Sequence, residues 1–255
     1  MPLEIVTIPC LQDNYAYLIH DAASGQTDLV DVPEASPILA ELNQRGWALS
    51  GVWITHHHPD HVDGLLEVLA QHPAKVVGSK GDAHRLPPLD VAVADADNFS
   101  FGGETVQVLD MSGHTIDHIA FYLPASDAFL TADSLMVMGC GRLFEGTPAQ
   151  MYASLQKTAE MPPQTRIYSG HEYTASNASF ATTVDPTNPA LILRIKDIED
   201  KRANGLPTIP SILELERETN PFLRADNPEI QEHLNLTGAS HIDVFTEIRA
   251  RKDRF

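Results

Sequence analysis

Thr55-His56-His57-His58-Pro59-Asp60-His61 is the stretch on which the reading of this chain turns. It follows the apolar run Gly51-Val52-Trp53-Ile54, and it precedes Val62, Leu65, Leu66 and Leu69, which fall at helical spacing between His61 and His72. A strand that feeds a tight loop and then a helix crowds imidazoles and a carboxylate together. Neutral imidazole and carboxylate are the donors that hold zinc, iron or manganese. Alternation along an extended segment lets His56 and His58 point one way while His57 points another. One isolated histidine would ordinarily be a packed or solvated side chain. Four candidate ligands within six residues, at the carboxyl end of a strand, point instead to a metal site.

Outward from that loop the first two-thirds of the chain reads as short β-branched runs separated by turns and helical stretches. Expected strands are Ile5–Ile8, Tyr15–Ile19, Leu29–Val32, Val52–Ile54, Val76–Val77, Thr105–Leu109, Ile119–Leu123 and Arg166–Tyr168. A further helix is expected from Thr147-Pro148-Ala149-Gln150, where Thr147 caps, Pro148 suits the first turn and Gln150 closes a capping box. Strands interleaved with helices give an α/β class. Near residue 172 the composition changes: thirteen of the fifteen glycines lie before it, and afterwards valine occurs only at Val184 and Val244. The remainder shows helix-start chemistry at Ser211-Ile212-Leu213-Glu214, Asn227-Pro228-Glu229 and Ser240-His241-Ile242-Asp243. These changes predict two domains, a metal-binding one over 1–172 and a mostly helical, substrate-binding one over 173–255.

The 255 residues carry a net charge of −18, of which residues 1–172 hold −15 and residues 173–255 only −3. So acidic a chain is a poor match for a phosphate backbone, so nucleic acid is not an expected partner and a ribonuclease is disfavoured. No apolar run is long enough to span a membrane. Two cysteines, Cys10 and Cys140, make no disulfide framework. The opening Met1-Pro2-Leu3-Glu4-Ile5 has no charged and apolar leader pattern, so the expected location is cytoplasmic.

The pattern His56-His57-His58-Pro59-Asp60-His61 resembles the signature of the metallo-β-lactamase superfamily. Later motifs of that superfamily have matches in the same order: Ser112-Gly113-His114-Thr115, Leu130-Thr131-Ala132-Asp133-Ser134 and Ser169-Gly170-His171-Glu172. The resemblance implies an αββα sandwich with a smaller C-terminal helical domain. It also implies two divalent metal ions, zinc foremost, with iron or manganese accepted by the same donors. By it, His56, His58 and His114 hold the first ion and Asp60, His61 and His171 the second, while Asp133 and a hydroxide bridge both. Asp60 is in addition given a catalytic role in orienting the nucleophile. Asp31 matches an aspartate that the superfamily keeps behind its metals, with Asp31-Val32-Pro33 in place of Asp-Pro-Gly. His118 is read as a core histidine or one that supports a ligand, and Cys140 as a packed loop residue rather than a nucleophile. His20, His72, His84, His233 and His241 lack metal-type spacing.

Narrower motifs resemble the hydroxyacylglutathione hydrolases, or glyoxalases II: Gly139-Cys140-Gly141-Arg142-Leu143-Phe144-Glu145-Gly146-Thr147, Gly170-His171-Glu172-Tyr173-Thr174 and the ending Arg249-Ala250-Arg251-Lys252-Asp253-Arg254-Phe255. That resemblance implies a monomeric thioester hydrolase that converts S-D-lactoylglutathione and water to D-lactate and glutathione, in methylglyoxal detoxification. It places the glutathione thioester on Arg142, Phe144, Tyr173, Arg249 and Lys252, with phenylalanine at a position where some members carry tyrosine. Four of the last seven residues are basic in an otherwise acidic chain, which suits a ligand that carries carboxylates. The same charges would also complement the carboxyl end of a helix. The alternatives are a persulfide dioxygenase of the same fold, which uses a single iron, another hydrolase of that fold, or a metal-binding module without activity.

Overall fold

The computed structural model describes residues 3–255, so the first two residues of the stretch read above for a leader lie outside the described part. One sheet has the order β1-β2-β3-β4-β5-β6: Glu4–Cys10, Asn14–Asp21, Gln26–Val30, Gly51–Trp53, Lys75–Ser79 and Val91–Val93. Its first three strands are antiparallel, with Glu4 opposite His20 and Tyr17 opposite Val30. From β3 onward the pairing is parallel, with Val30 opposite Trp53 and Trp53 opposite Val77. Parallel neighbours need crossovers. Helix α1 (Ala35–Arg45) supplies the first, and the short helices α2 (Pro59–Val62) and α3 (Leu65–Gln71) supply the second. Ile38, Leu39 and Leu42 of α1 and Leu65 and Val68 of α3 bury themselves against Ile8, Leu18, Leu29, Val52 and Ile54.

The second sheet has the order β14-β13-β10-β9-β8-β7, in which β7 is Asn98–Phe101, β8 Glu104–Asp110, β9 Ile119–Leu123, β10 Ala128–Ala132, β13 Arg166–Ser169 and β14 Ser211–Ile212. A two-stranded hairpin pairs β11 (Leu135–Met136) with β12 (Gly139–Cys140). Trp53 on the first sheet meets Phe99 and Phe101 of β7 edge-on at 5.0 and 5.5 Å, and Phe121 of β9 at 5.3 Å. The two sheets therefore face each other across an aromatic core. β9 is buried along its whole length, which explains why it reads as a continuous apolar run, and β10, not expected from the sequence, is buried throughout as well.

Contacts group the chain into two compact units, Met1–Asp110 with Asp117–Leu130 and Met111–Ile116 with Thr131–Phe255. The second holds α4 (Pro148–Gln156), α5 (Thr174–Ala181), α6 (Pro189–Ala203), α7 (Leu213–Thr219), α8 (Pro228–His233) and α9 (His241–Arg254). Thr147 and Gln150 form the expected capping box on α4. Asn188, Asn227 and Ser240 cap α6, α8 and α9 through side-chain oxygens. Phe222 packs between Phe180 at 6.2 Å and Phe245 at 5.6 Å to form the core of the helical part. Among the described residues, no helix is long and apolar enough to cross a membrane.

Two expected elements differ. The helix read between His61 and His72 breaks at Asp63-Gly64. Gly64 N donates to Val32 O at 2.9 Å, and a Cβ there would lie 2.7 Å from the Glu34 carbonyl carbon, so close backbone packing sets the break. Leu66, read as part of the apolar face, is 73% exposed. Ser211 does not cap α7; it lies in β14, and its hydroxyl donates to Glu216 Oε1 at 2.5 Å.

One buried acid in the first unit carries a stability prediction. Asp28 accepts Trp53 Nε1–H at 2.8 Å, yet burial pushes its carboxyl from 3.8 up to about 6. A raised folded-state pKa means that the native state holds its proton longer than the unfolded chain. Stability is therefore lost as pH rises from about 4 to about 6, and the cost is fully present at pH 7. That rise corresponds to about 3 kcal/mol at most. Urea denaturation should show Asp28→Asn gaining about 2 kcal/mol on the wild type between pH 4 and pH 7. Parallel pH dependences for the two proteins would remove Asp28 as the source.

Candidate metal centre

The loop after β4 lies at the carboxyl end of a parallel strand, where α/β sheets commonly place functional groups. Asp31, directly after β3 and at φ +56°, holds this loop from behind. Its Oδ1 accepts Thr55 N–H at 2.9 Å, and its Oδ2 accepts the Thr55 hydroxyl and His61 Nδ1–H, each at 2.8 Å. The carboxylate leaves His61 with Nε2 as its lone-pair nitrogen. Thr55 relays the same effect one ring further, because its hydroxyl proton goes to Asp31 and its oxygen accepts His56 Nδ1–H at 3.0 Å. His56 Nε2 thus also keeps a lone pair, and it lies 3.1 Å from His58 Nδ1. Such second-layer partners commonly fix the tautomer of metal-binding histidines.

Asp60 sits at the start of α2. Asn14 Nδ2 donates to its Oδ2 at 3.0 Å and to its carbonyl at 3.1 Å, so β2 anchors the carboxylate. His57 turns away, as alternation predicts, and meets the buried Asp82 at 2.9 Å. Asp82 is also paired with Arg85. His118 is fully buried and stacks on His56 at 4.8 Å.

In the second unit, Asp133 follows β10 and His171 follows β13. Gly170 N donates to Ala132 O at 2.9 Å, which brings the two strand ends side by side. Asp133 Oδ2 lies 3.3 Å from His114 Nε2 and 3.3 Å from His171 Nε2. His114 Nδ1 donates to the Arg142 carbonyl at 2.7 Å, again leaving Nε2 with its lone pair. Glu172, next to His171, accepts Thr208 N–H at 2.8 Å and the Thr208 hydroxyl at 2.6 Å.

Three groups of side chains each have ligand atoms within 4.8 Å of one another: His56, His58 and His114; His56, His61 and Asp133; Asp60, His61 and His171. All seven residues read as ligands from the sequence fall in these groups. Nitrogen lone pairs converging with carboxylate oxygens are the donor chemistry that a divalent ion takes, so these clusters are able to bind metal.

The residues expected to hold substrate differ in surroundings. Phe144 is 62% exposed, with its ring edge-on to His114 at 5.3 Å. Tyr173 stacks on His171 at 4.6 Å. Arg142 is largely exposed, with Nε 3.7 Å from Asp253. Lys252 Nζ donates to the Ser176 carbonyl at 3.3 Å and lies over the Phe180 and Phe255 rings. Partial burial, followed by the nearby Arg249 charge, brings its ammonium down from 10.5 to about 8. Arg249 is only 4% exposed, donates to the Cys140 carbonyl at 3.0 Å and pairs with Asp253 at 2.9 Å. Burial pushes the Cys140 thiol up to about 11, which fits a packed residue rather than a nucleophile. Asn14 and Asp82 were not legible in the sequence, because a lone polar residue beside a strand carries no spacing signal.

Comparison with known proteins gives the class. Residues 13–171 match the family model described as the metallo-beta-lactamase superfamily, and residues 172–255 match that described as the hydroxyacylglutathione hydrolase C-terminus. A solved structure, ETHE1 from Myxococcus xanthus, is 27% identical at a TM-score of 0.65 and covers 99% of this chain and 100% of its own. Another, TTHA1623 in a di-iron-bound form, is 25% identical at a TM-score of 0.61, over 86% of this chain and 100% of that one. The fold is thus the α/β metallo-β-lactamase fold with a C-terminal helical part, and its histidine–aspartate clusters are able to bind metal. A hydroxyacylglutathione hydrolase from Ruegeria pomeroyi is 62% identical over 255 residues and covers 100% of both chains. The chain belongs to the hydroxyacylglutathione hydrolase family.

Proposed function

We propose that this enzyme hydrolyses S-D-lactoylglutathione to D-lactate and glutathione with two divalent metal ions, zinc foremost. His56, His58 and His114 would hold one, Asp60, His61 and His171 the other, with Asp133 shared. Ions held in this way lower the pKa of water and polarise a carbonyl. The protein's own part is orientation. Asp31, Thr55 and the Arg142 carbonyl fix the tautomers of His61, His56 and His114. Asn14 fixes Asp60, the residue we assign to orienting the nucleophile. The observation that carries this reading is the Asp133 carboxylate, set 3.3 Å from the imidazoles of His114 and His171, each of which belongs to a group of side chains able to bind a metal.

Arg142, Phe144, Tyr173 and Lys252 form the proposed glutathione surface, and Arg249, expected from the resemblance to touch substrate directly, serves it from beneath, through the Cys140 carbonyl. Such a thioester arises from methylglyoxal and glutathione, so the role is detoxification, in a cytoplasm that keeps thiols reduced. Both cysteines are free, in keeping with that compartment. We read the enzyme as a monomer. The persulfide dioxygenase reading is not favoured, given the full-length relatives and the match of the tail. The test is turnover of S-D-lactoylglutathione by purified protein, with D-lactate and free thiol measured alongside metal content. Absence of both products from metal-loaded protein would refute the reading.

Lys252 adds a pH prediction. A carboxylate is held by the ammonium and not by the neutral amine, and kcat/KM reports the ionisation of free enzyme. With Lys252 at about 8, kcat/KM for the thioester should fall as pH rises through about 8. Lys252→Arg stays charged and should lose that fall, while Lys252→Ala should raise KM at pH 7 about tenfold, the low end of a charged hydrogen bond. A fall at pH 8 that survives in Lys252→Arg would assign it to another group.

A further inference from the structure

We infer that the β11–β12 hairpin is set by a cradle of side chains from the helical tail, and that Asn177, Glu216, Asn220 and Arg249 thereby position Asp133 and His114. The hairpin spans residues 135–140, between Asp133 and Arg142. Its backbone groups are answered one after another by side chains of α5, α7, the segment that follows α7, and α9. Asn220 Nδ2 donates to the Met136 carbonyl at 3.2 Å and to the Gly139 carbonyl at 3.0 Å. Asn177 Nδ2 donates to the Val137 carbonyl at 3.0 Å. Met138 N donates to Glu216 Oε2 at 2.8 Å, and Arg249 Nη1 donates to the Cys140 carbonyl.

This turn would not hold itself. Met138 sits at φ +61°, a left-handed conformation that a branched or long side chain rarely adopts unless its surroundings impose it. The imposing group is Glu216, a fully buried carboxylate that also accepts from Asn220, Ser211 and Arg194. Each partner of that carboxylate is itself fixed, so the cradle is a closed polar network rather than a single contact.

The hairpin transmits its position at both ends. Gly141 N donates to Ser134 O at 3.0 Å, which closes the loop directly behind Asp133. A Cβ at Gly141 would lie 1.9 Å from the Asp133 carbonyl oxygen and 3.1 Å from His114 Nδ1, so no slack separates loop from ligands. The next residue supplies the carbonyl that receives His114 Nδ1–H. A shift of the hairpin therefore moves the Asp133 backbone and the hydrogen bond that fixes the His114 tautomer together. Loss of such outer partners commonly weakens metal binding by about 10- to 100-fold. On this view Arg249, buried under Cys140, contributes through the loop it supports.

The inference rests on the proposed ligand roles of Asp133 and His114, and the experiment separates the two. Co²⁺ is bound to wild type, Asn220→Ala, Asn177→Ala and Leu42→Ala, the last a core truncation in α1 without any polar role. Visible absorption and competition with a chromophoric chelator are read beside kcat and KM. We expect both asparagine variants to show a shifted Co²⁺ spectrum, at least tenfold weaker Co²⁺ binding, and a lower kcat with KM within about threefold. Leu42→Ala should lose thermal stability and keep the wild-type spectrum. If Asn220→Ala does not fold, Asn177→Ala, which removes one hydrogen bond, decides the matter. Asparagine variants that match Leu42→Ala in all Co²⁺ readouts would overturn the cradle. A wild type that binds no Co²⁺ would sink the metal reading and the positioning role with it.

Discussion

Dialysis against a strong chelator is expected to abolish hydrolysis of S-D-lactoylglutathione, and close to two equivalents of Zn²⁺ per chain should restore it. Water activation and carbonyl polarisation account for most of the rate in such a hydrolase, so residual turnover should be at least about a thousandfold down. Neither cysteine stands in for that chemistry as a nucleophile. Cys140 is buried with its thiol pushed up to about 11, and Cys10 is pushed up to about 12 by burial and then by Glu34. The titration has a second reading built in. Activity that saturates at one equivalent, with no further gain at the second, would refute the dinuclear assignment while leaving the hydrolase intact. Iron and manganese should be tried in the same titration, because imidazole and carboxylate donors accept all three.

Asp60→Ala should lower kcat at least about a hundredfold and bring metal content down from two ions toward one. In the structure this carboxylate has one neighbour that matters for the comparison. Asn14 Nδ2 donates to Asp60 Oδ2 and to its carbonyl, so Asn14→Ala leaves the carboxylate in place and removes its anchor. The two variants then separate identity from position: Asp60→Ala should lose metal and rate together, whereas Asn14→Ala should retain metal and lose rate by a smaller factor. A near-normal kcat in Asp60→Ala would mean that the nucleophile is organised by other groups. Circular dichroism separates loss of fold from loss of function, and replacement of Asp60, partly exposed on the single turn of α2, should leave the spectrum unchanged.

How much of this was written in the sequence follows from what each feature depends on. The proposed ligand donors are chemical identities, so His56, His58, Asp60 and His61 could be read from residue type and spacing, and His114, Asp133 and His171 from resemblance. The capping box at Thr147 and the caps at Asn227 and Ser240 are local, and they form as the sequence reads. The strand runs centred on β-branched residues also appear, generally lengthened by a residue or more at an end. Elements that owe their existence to neighbours escaped. β10, with the sequence Ala-Phe-Leu-Thr-Ala, is a strand because both its faces are buried, and β14 is two residues made a strand by pairing with β13. Ser211 looks like a cap in one dimension and serves Glu216 in three.

By itself, then, the sequence determined the proposed donor set, the α/β class and the family to which the chain belongs, because those are properties of residue types in order. Tertiary structure alone decided which nitrogen of each histidine keeps its lone pair. That choice belongs to partners such as the Asp31 carboxylate, 30 positions from His61, and the Arg142 carbonyl, 28 positions from His114. Structure also decided that Arg249 lies beneath the loop rather than open to solvent, and that Asn220 and Glu216 face the hairpin. Most of these partners are backbone carbonyls and amides, which every residue carries alike. A hydrogen bond to such a group leaves no mark in residue type, and only the folded chain brings its two ends together.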